Sequence, residues 1–170
     1  MNKLTINNKD FKGLVASMCR DITNEGWRPD YIVGITRGGL TAAVMMSHYL
    51  KVPMHTLNVS LREGIELGPE SNLWMAEDAF GYGSAQPKNI LIVDDINDSG
   101  DTLKWIVSDW QSGCMPTDDK WNSVWGNNVR FAVVVNNTAS KFIYNTYSGM
   151  EINKRENDVW VEFPYETWWK

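Results

Sequence analysis

The sequence predicts an α/β fold: an open, mostly parallel sheet of about five strands flanked by helices. Three observations carry that prediction. Apolar runs of strand character alternate with segments of helical period, the order that builds a parallel sheet. The run "ILIV" at 90–93 is apolar at every position, as befits a strand covered on both faces. Two strands pass directly into helices through short glycine-bearing turns, "ITRGG" at 35–39 and "DDINDSGDT" at 94–102.

Phe11, Leu14, Val15, Met18 and Ile22 repeat at helical spacing, so residues 9–25 form an amphipathic helix that Gly26 and Pro29 end. "YIVGI" (31–35) is a short strand, "GGLTAAVMMSHYL" (38–50) a helix that follows at once, and "MHTLNVS" (54–60) the next strand. Residues 61–89 carry four glycines, two prolines and several charges without a sustained period. They read as a long flexible loop, of the kind that serves as a lid, a binding loop or an insert. After "ILIV", the spacing of Leu103, Ile106, Val107 and Trp110 predicts a helix. Residues 112–128 read as a surface connection with two tryptophans. "VRFAVVV" (129–135) and "DVWVEF" (158–163) are the last two strands.

A chain of 170 residues suits one domain, 1–170, with a core of its own. It contains no apolar run of about 18 residues, and "MNKLTINNKD" has no apolar signal region, so a cytoplasmic setting without membrane contact is expected. Cys19 and Cys114 alone build neither a disulfide framework nor a zinc cluster. The net charge of −5 argues against a nucleic-acid partner bound through phosphate neutralisation. Of nine tryptophans, seven lie beyond residue 104, where core or interface roles are expected.

In open α/β sheets ligands bind beyond the carboxyl ends of the strands, where both glycine-bearing turns fall. In "DSGDT", Gly100 permits close backbone approach, Ser99 and Thr102 bring hydroxyls, and the next helix presents its first N–H groups. Those features suit a phosphate monoester. Asp94 and Asp95 repel phosphate but suit sugar hydroxyls or a divalent cation. Arg37 with the N–H groups of Gly38 and Gly39 makes a second anion site. Two anion sites flanking a sugar site describe a ribose with phosphate at one end and pyrophosphate at the other.

The thirteen residues "ILIVDDINDSGDT" (90–102) resemble the phosphoribosyl pyrophosphate (PRPP) motif of type I phosphoribosyltransferases, with Asn97 at a position that is usually apolar. "ITRGG" looks like the family's pyrophosphate loop, and the resemblance spans roughly residues 28–165. It implies the family fold with a small hood, residues 61–89 as a lid and residues 157–170 as part of the base-binding hood. It implies transfer of a 5-phosphoribosyl group from PRPP to a base, with Mg2+ as cofactor and Asp95 as its protein ligand. Asp94 and Asp95 would then hold the ribose hydroxyls. Asp98, Ser99, Gly100, Asp101 and Thr102 would cradle the 5′-phosphate, and Arg37, Gly38 and Gly39 the pyrophosphate. A homo-oligomer, dimer or tetramer, is also implied.

The acceptor is read from two further likenesses. In the 6-oxopurine branch an aspartate precedes the Ser-Gly pair and faces N7 of the base; Asp98 matches it and is the catalytic candidate. "WVEFPYE" (160–166) is similar to the "W-I-E-x-P-W-D" segment of bacterial xanthine-guanine phosphoribosyltransferase. Trp160 would stack on the purine, and Val161 and Glu162 would meet its 2-position. These enzymes usually carry a lysine for O6 after the next strand, where this chain has Asn136 and Asn137, so Asn137 is the base-binding candidate there. The reading is therefore transfer to N9 of hypoxanthine, guanine or xanthine. A phosphoribosyltransferase for another base and a non-catalytic PRPP-sensing regulator stay open as alternatives.

Overall fold

A computed structural model describes residues 1–59 and 72–170. The chain begins with strand β1 (Asn2–Thr5) and helix α1 (Asn8–Glu25), whose start is capped by the Asn7 side chain accepting from the Asp10 N–H at 2.8 Å. Gly26, at φ 75°, ends it in the left-handed conformation that glycine adopts at least cost. Phe11, Val15, Met18, Cys19 and Ile22 are its buried residues, each large apolar one contributing about 1.5–3 kcal/mol by leaving water. Then follow β2 (Tyr31–Thr36), α2 (Leu40–Leu50), β3 (Met54–Asn58), α3 (Leu73–Phe80), β4 (Ile90–Asn97), α4 (Asp101–Gly113), β5 (Val129–Asn137), β6 (Asn145–Ile152) and β7 (Val159–Glu162).

Five strands form one wholly parallel sheet in the order β3-β2-β4-β5-β6, and β1 pairs with β7 in a separate parallel ribbon. Alternate residues of the central strands serve two cores. Val33, Ile35, Ile90, Ile92, Phe131 and Val133 face α3 and α4, while Ile32, Leu91, Val93, Ala132 and Val134 face α1 and α2. Burial on both faces explains why β4 opens with four apolar residues.

The sequence expectations hold for α1, α2, α4 and the strands from β2 to β5, and three points need correction. The fifth strand of the sheet is β6, not 158–163. "NTYSGMEI" has a polar composition because it lies at the sheet edge, where only one flank is paired. The 158–163 segment supplies β7, held by β1. Second, 73–80 is a helix within the stretch expected to be loop. Met75, Ala76, Ala79 and Phe80 are buried in the α4-side core, and at eight residues the helix is too short to show a sustained period in the sequence. The rest of the expected lid, up to residue 71, lies outside the described residues. Third, 112–128 is not a surface connection: Trp121 and Trp125 are 0% and 7% exposed and stacked at 5.4 Å. Among the described residues no helix is long and apolar enough to cross a membrane.

The order of the strands positions the site. Pairing between β2 and β4 stops at Gly34↔Val93. Beyond it β2 continues beside β3 to Thr36↔Asn58, and β4 continues beside β5 to Asn97↔Asn136. The two strands part at the point where strand order reverses, which is where α/β sheets open a ligand crevice.

Candidate functional site

The β2–α2 turn folds back into this fork. A Cβ on Gly39 would lie 2.4 Å from the Val93 carbonyl oxygen and 2.9 Å from Asp94 Cα, and one on Gly38 would lie 2.2 Å from Asp95 Oδ2. Gly39 is therefore required by backbone contact between the two turns, since its own conformation is ordinary (φ −79°, ψ −9°), whereas Gly38 leaves room for the Asp95 side chain. The Thr36–Arg37 peptide bond is cis. Arg37 stands exposed on the turn, and among the described residues its guanidinium has no ion-pair partner. It is thus available to an anion.

The β4–α4 turn encloses a cavity of about 190 Å³ lined by residues 94–103. Gly100 turns the chain into α4 at φ 94°, and a side chain there would meet Ser140 and Phe142 within 2.9 Å. No side chain of the N-cap residue caps α4; Ser99 Oγ accepts the Asp101 N–H at 3.2 Å. The remaining first-turn N–H groups of an uncapped helix end are donors for an anion.

Asp94 is 8% exposed and accepts the Asp95 N–H at 2.8 Å. Burial, and then the neighbouring Asp95 charge, raise its carboxyl well above the usual carboxylate range. Asp95 is less buried. Its Oδ1 accepts the Ile96 N–H at 2.8 Å, and its Oδ2 accepts from the Tyr165 hydroxyl at 3.1 Å. The same hydroxyl lies 3.0 Å from the Gly38 carbonyl. Burial first, and the Asp95 charge second, push the Tyr165 phenol far up, so it stays protonated as a donor.

Asp98, at the mouth of the turn, is paired through Oδ2 with Lys154 Nζ at 3.0 Å. The lysine side chain is only 17% exposed, whereas that of Asp98 is 51% exposed. Lys154 follows β6 directly, so the ammonium group comes from one strand further along the sheet than the position that Asn137 occupies. Asn137 is 6% exposed and its amide is committed elsewhere. It donates to the Asp98 carbonyl at 2.9 Å and accepts the N–H groups of Lys154 (3.0 Å) and Ala139 (3.2 Å). It ties the ends of β4, β5 and β6 together instead of presenting its side chain to a ligand. Asn97 has a similar role, donating to Asn136 at 2.9 Å and accepting from Ser140 at 3.0 Å, which explains a polar residue at a buried position.

The C-terminal segment reaches the two turns through Tyr165. Trp160 is 50% exposed, while Val159 and Val161 on alternate positions of β7 are buried. The indole is half exposed, and the Val161 side chain is buried, so Val161 can meet a ligand only through its main chain. Glu162 is tied to the N-terminal strand, with its carboxylate 3.1 Å from Lys3 Nζ and its carbonyl accepting the Ile6 N–H at 2.9 Å. Phe163 stacks on Tyr165 with ring centroids 5.6 Å apart, and Phe11 meets both edge-on. The turns predicted from sequence therefore come together as expected. Lys154 and Tyr165 are residues at these turns that sequence reasoning missed. Lys154 was hidden by the unrecognised strand before it, and Tyr165 stands in the quoted segment where the similar enzyme has tryptophan.

The sequence model of the family described as "Phosphoribosyl transferase domain" matches residues 5–165. A hypoxanthine-guanine phosphoribosyltransferase of Schizosaccharomyces pombe is 26% identical, over 84% of this chain and 79% of its own length. A xanthine-guanine phosphoribosyltransferase of Cereibacter sphaeroides is 29% identical, over 84% of this chain and 71% of its own. In structure, a purine phosphoribosyltransferase from Pyrococcus horikoshii superposes with a TM-score of 0.67 at 20% identity, covering 97% of this chain and 95% of the other, a likeness of fold.

Proposed function

The chain belongs to the phosphoribosyl transferase domain family, and from that premise we propose that it transfers the 5-phosphoribosyl group of PRPP to N9 of a 6-oxopurine, hypoxanthine, guanine or xanthine, releasing pyrophosphate. The observation that carries the reading is the fork between β2 and β4, where a glycine-lined anion turn touches an acidic turn that holds a cavity of about 190 Å³. The names of the relatives support a purine acceptor.

The cavity at Asp98–Thr102, with the uncapped end of α4, takes the 5′-phosphate. Asp94 and Asp95 accept from the ribose hydroxyls, and Arg37 with the Gly38 and Gly39 N–H groups receives the pyrophosphate. Transfer breaks the C1′–oxygen bond and forms the C1′–N9 bond through an oxocarbenium-like transition state. The chain contributes positioning and stabilisation of the departing charge. Mg2+ fits as cofactor: it is commonly held by one or two carboxylates together with substrate phosphates, and Asp95 offers such an oxygen. Among the described residues no group of three or more potential metal ligands forms a separate site. When bound with PRPP the ion neutralises pyrophosphate charge.

The Asp98–Lys154 pair supports the choice of base. A carboxylate 3.0 Å from an ammonium offers an acceptor beside a donor. N7–H and O6 of a 6-oxopurine form the complementary donor beside an acceptor. Adenine presents an amino group in place of O6, against which an ammonium is a mismatch. Lys154 thus takes the part for which Asn137 was the sequence candidate, and Asp98 accepts the N7 proton. Trp160 stacks on the ring. Assembly as a dimer or tetramer belongs to the same proposal, and Trp168 and Trp169, 78% and 65% exposed, are surface of the kind an interface covers. So does a cytoplasmic setting.

The test is incubation with PRPP, Mg2+ and each of hypoxanthine, guanine, xanthine and adenine, with nucleotides separated by chromatography. At least one 6-oxopurine nucleotide should form, and Asp98→Asn should suppress it. No nucleotide from any base would sink the proposal.

A further inference from the structure

Tyr165 is not among the groups so far assigned to a substrate, yet its hydroxyl reaches both turns of the fork at once. It lies 3.0 Å from the Gly38 carbonyl and 3.1 Å from Asp95 Oδ2. Asp95 has its other oxygen on the Ile96 N–H at 2.8 Å, so the two bonds together fix the plane of the carboxylate. Gly38 leaves room for this arrangement, because even a methyl group there would overlap Asp95 Oδ2. The phenol ring is itself fixed by the parallel Phe163 ring and by the edge of Phe11. Tyr165 follows Trp160 by five residues in the same C-terminal segment. One rigid aromatic side chain therefore connects the wall that would hold the base to the two turns that would hold PRPP.

We infer that Tyr165 is a positioning residue for PRPP, its one hydroxyl proton shared between Asp95 Oδ2 and the Gly38 carbonyl so that the two turns stay in register. The inference rests on the proposed function only in taking Asp95 and Gly38 as parts of the PRPP site. A hydroxyl donating to a carboxylate orients it before the substrate arrives, which lowers the ordering cost of binding. Loss of the hydroxyl should leave the aromatic packing intact and loosen the PRPP half alone.

The experiment compares the wild-type protein with Tyr165→Phe by calorimetric titration of PRPP with Mg2+ in the absence of base, by steady-state kinetics, and by thermal melting. The expected result is a loss of about tenfold in PRPP affinity, the size of one hydrogen bond to a charged group. The KM for the base at saturating PRPP should change less than about twofold, and the melting temperature should fall by no more than about 4 °C. Unchanged PRPP affinity overturns the inference. So does a joint fall in base affinity and melting temperature, which would mark a purely structural role. If the wild-type protein neither binds PRPP nor forms a nucleotide, the proposed function falls and takes this inference with it. If the wild type is active and only the variant behaves otherwise than expected, the inference alone falls.

Discussion

Gly39→Ala isolates the contact that builds the site. Gly39 has φ −79° and ψ −9°, so alanine meets no backbone penalty there, and the entire cost is the added methyl. That methyl would sit 2.4 Å from the Val93 carbonyl oxygen and 2.9 Å from both Asp94 Cα and the Ile35 carbonyl. All three neighbours are backbone, and they belong to strands buried on both faces, so none can swing aside. The turns must separate by about 1 Å to restore ordinary contact, which places the cost near the upper end of overpacking, about 3 kcal/mol. For a chain of this length that corresponds to a fall of about 6–12 °C in melting temperature. Gly38→Ala is the control. Its methyl overlaps the Asp95 carboxylate, a side chain that can rotate. That variant should melt closer to wild type while losing PRPP affinity. Calorimetric melting and PRPP titration of both variants check the argument. If Gly39→Ala melts within about 2 °C of wild type, the close approach of the turns is not real and the site geometry fails with it.

Lys154→Met retains the buried stem but removes the ammonium from Asp98. We expect kcat/KM for the 6-oxopurine to fall about tenfold or more, while PRPP binding without base is preserved. Asp94→Asn should raise the melting temperature of the ligand-free protein at neutral pH. The folded-state carboxyl titrates above its usual range, so ionisation costs stability once pH exceeds the unfolded value, and that cost is absent in acid. The gain should therefore vanish below about pH 4, and nucleotide formation should be lost throughout. Tyr147 provides an alkaline counterpart. Burial, and next its hydrogen bond to Glu25, push the phenol up from 10.0 to about 12, with Arg130 acting in the opposite direction. Its stabilising effect is complete below pH 10 and is lost as pH rises through 12. Tyr147→Phe should therefore destabilise the protein at pH 9, and the difference should shrink toward pH 12 in urea titrations; a difference that does not change with pH would refute it.

The legible parts of this protein were those whose chemistry is local. Phe11 to Ile22 announce a helix because the apolar face repeats every 3.6 residues, and "ILIV" announces a central strand because both its faces need cover. The turns "ITRGG" and "DDINDSGDT" could be read as candidate anion and sugar sites because glycines, hydroxyls and carboxylates stand there within a few residues of one another. β6 was missed for the converse reason. Its polar pattern suits an edge position, and nothing within "NTYSGMEI" states which edge it will occupy. The helix at 73–80 was missed because eight residues are too few to show a sustained period, although its buried face is ordinary.

Partnership over long separations lay beyond the sequence. Asp98 and Lys154 are 56 residues apart, and Tyr165 and Gly38 are 127 apart. Asn137 looked like a base ligand until three bonds from neighbouring strand ends engaged its amide. The sequence by itself determined the class of fold, the order along the chain of its central strands and helices, and the two turns proposed to carry phosphate and ribose chemistry. Only the tertiary structure decided which cation stands beside Asp98 and which hydroxyl meets Asp95. The physical reason is that periodicity and turn chemistry are properties of a short segment, whereas a side chain's partner depends on which distant strand ends the packed sheet brings within 3 Å of it.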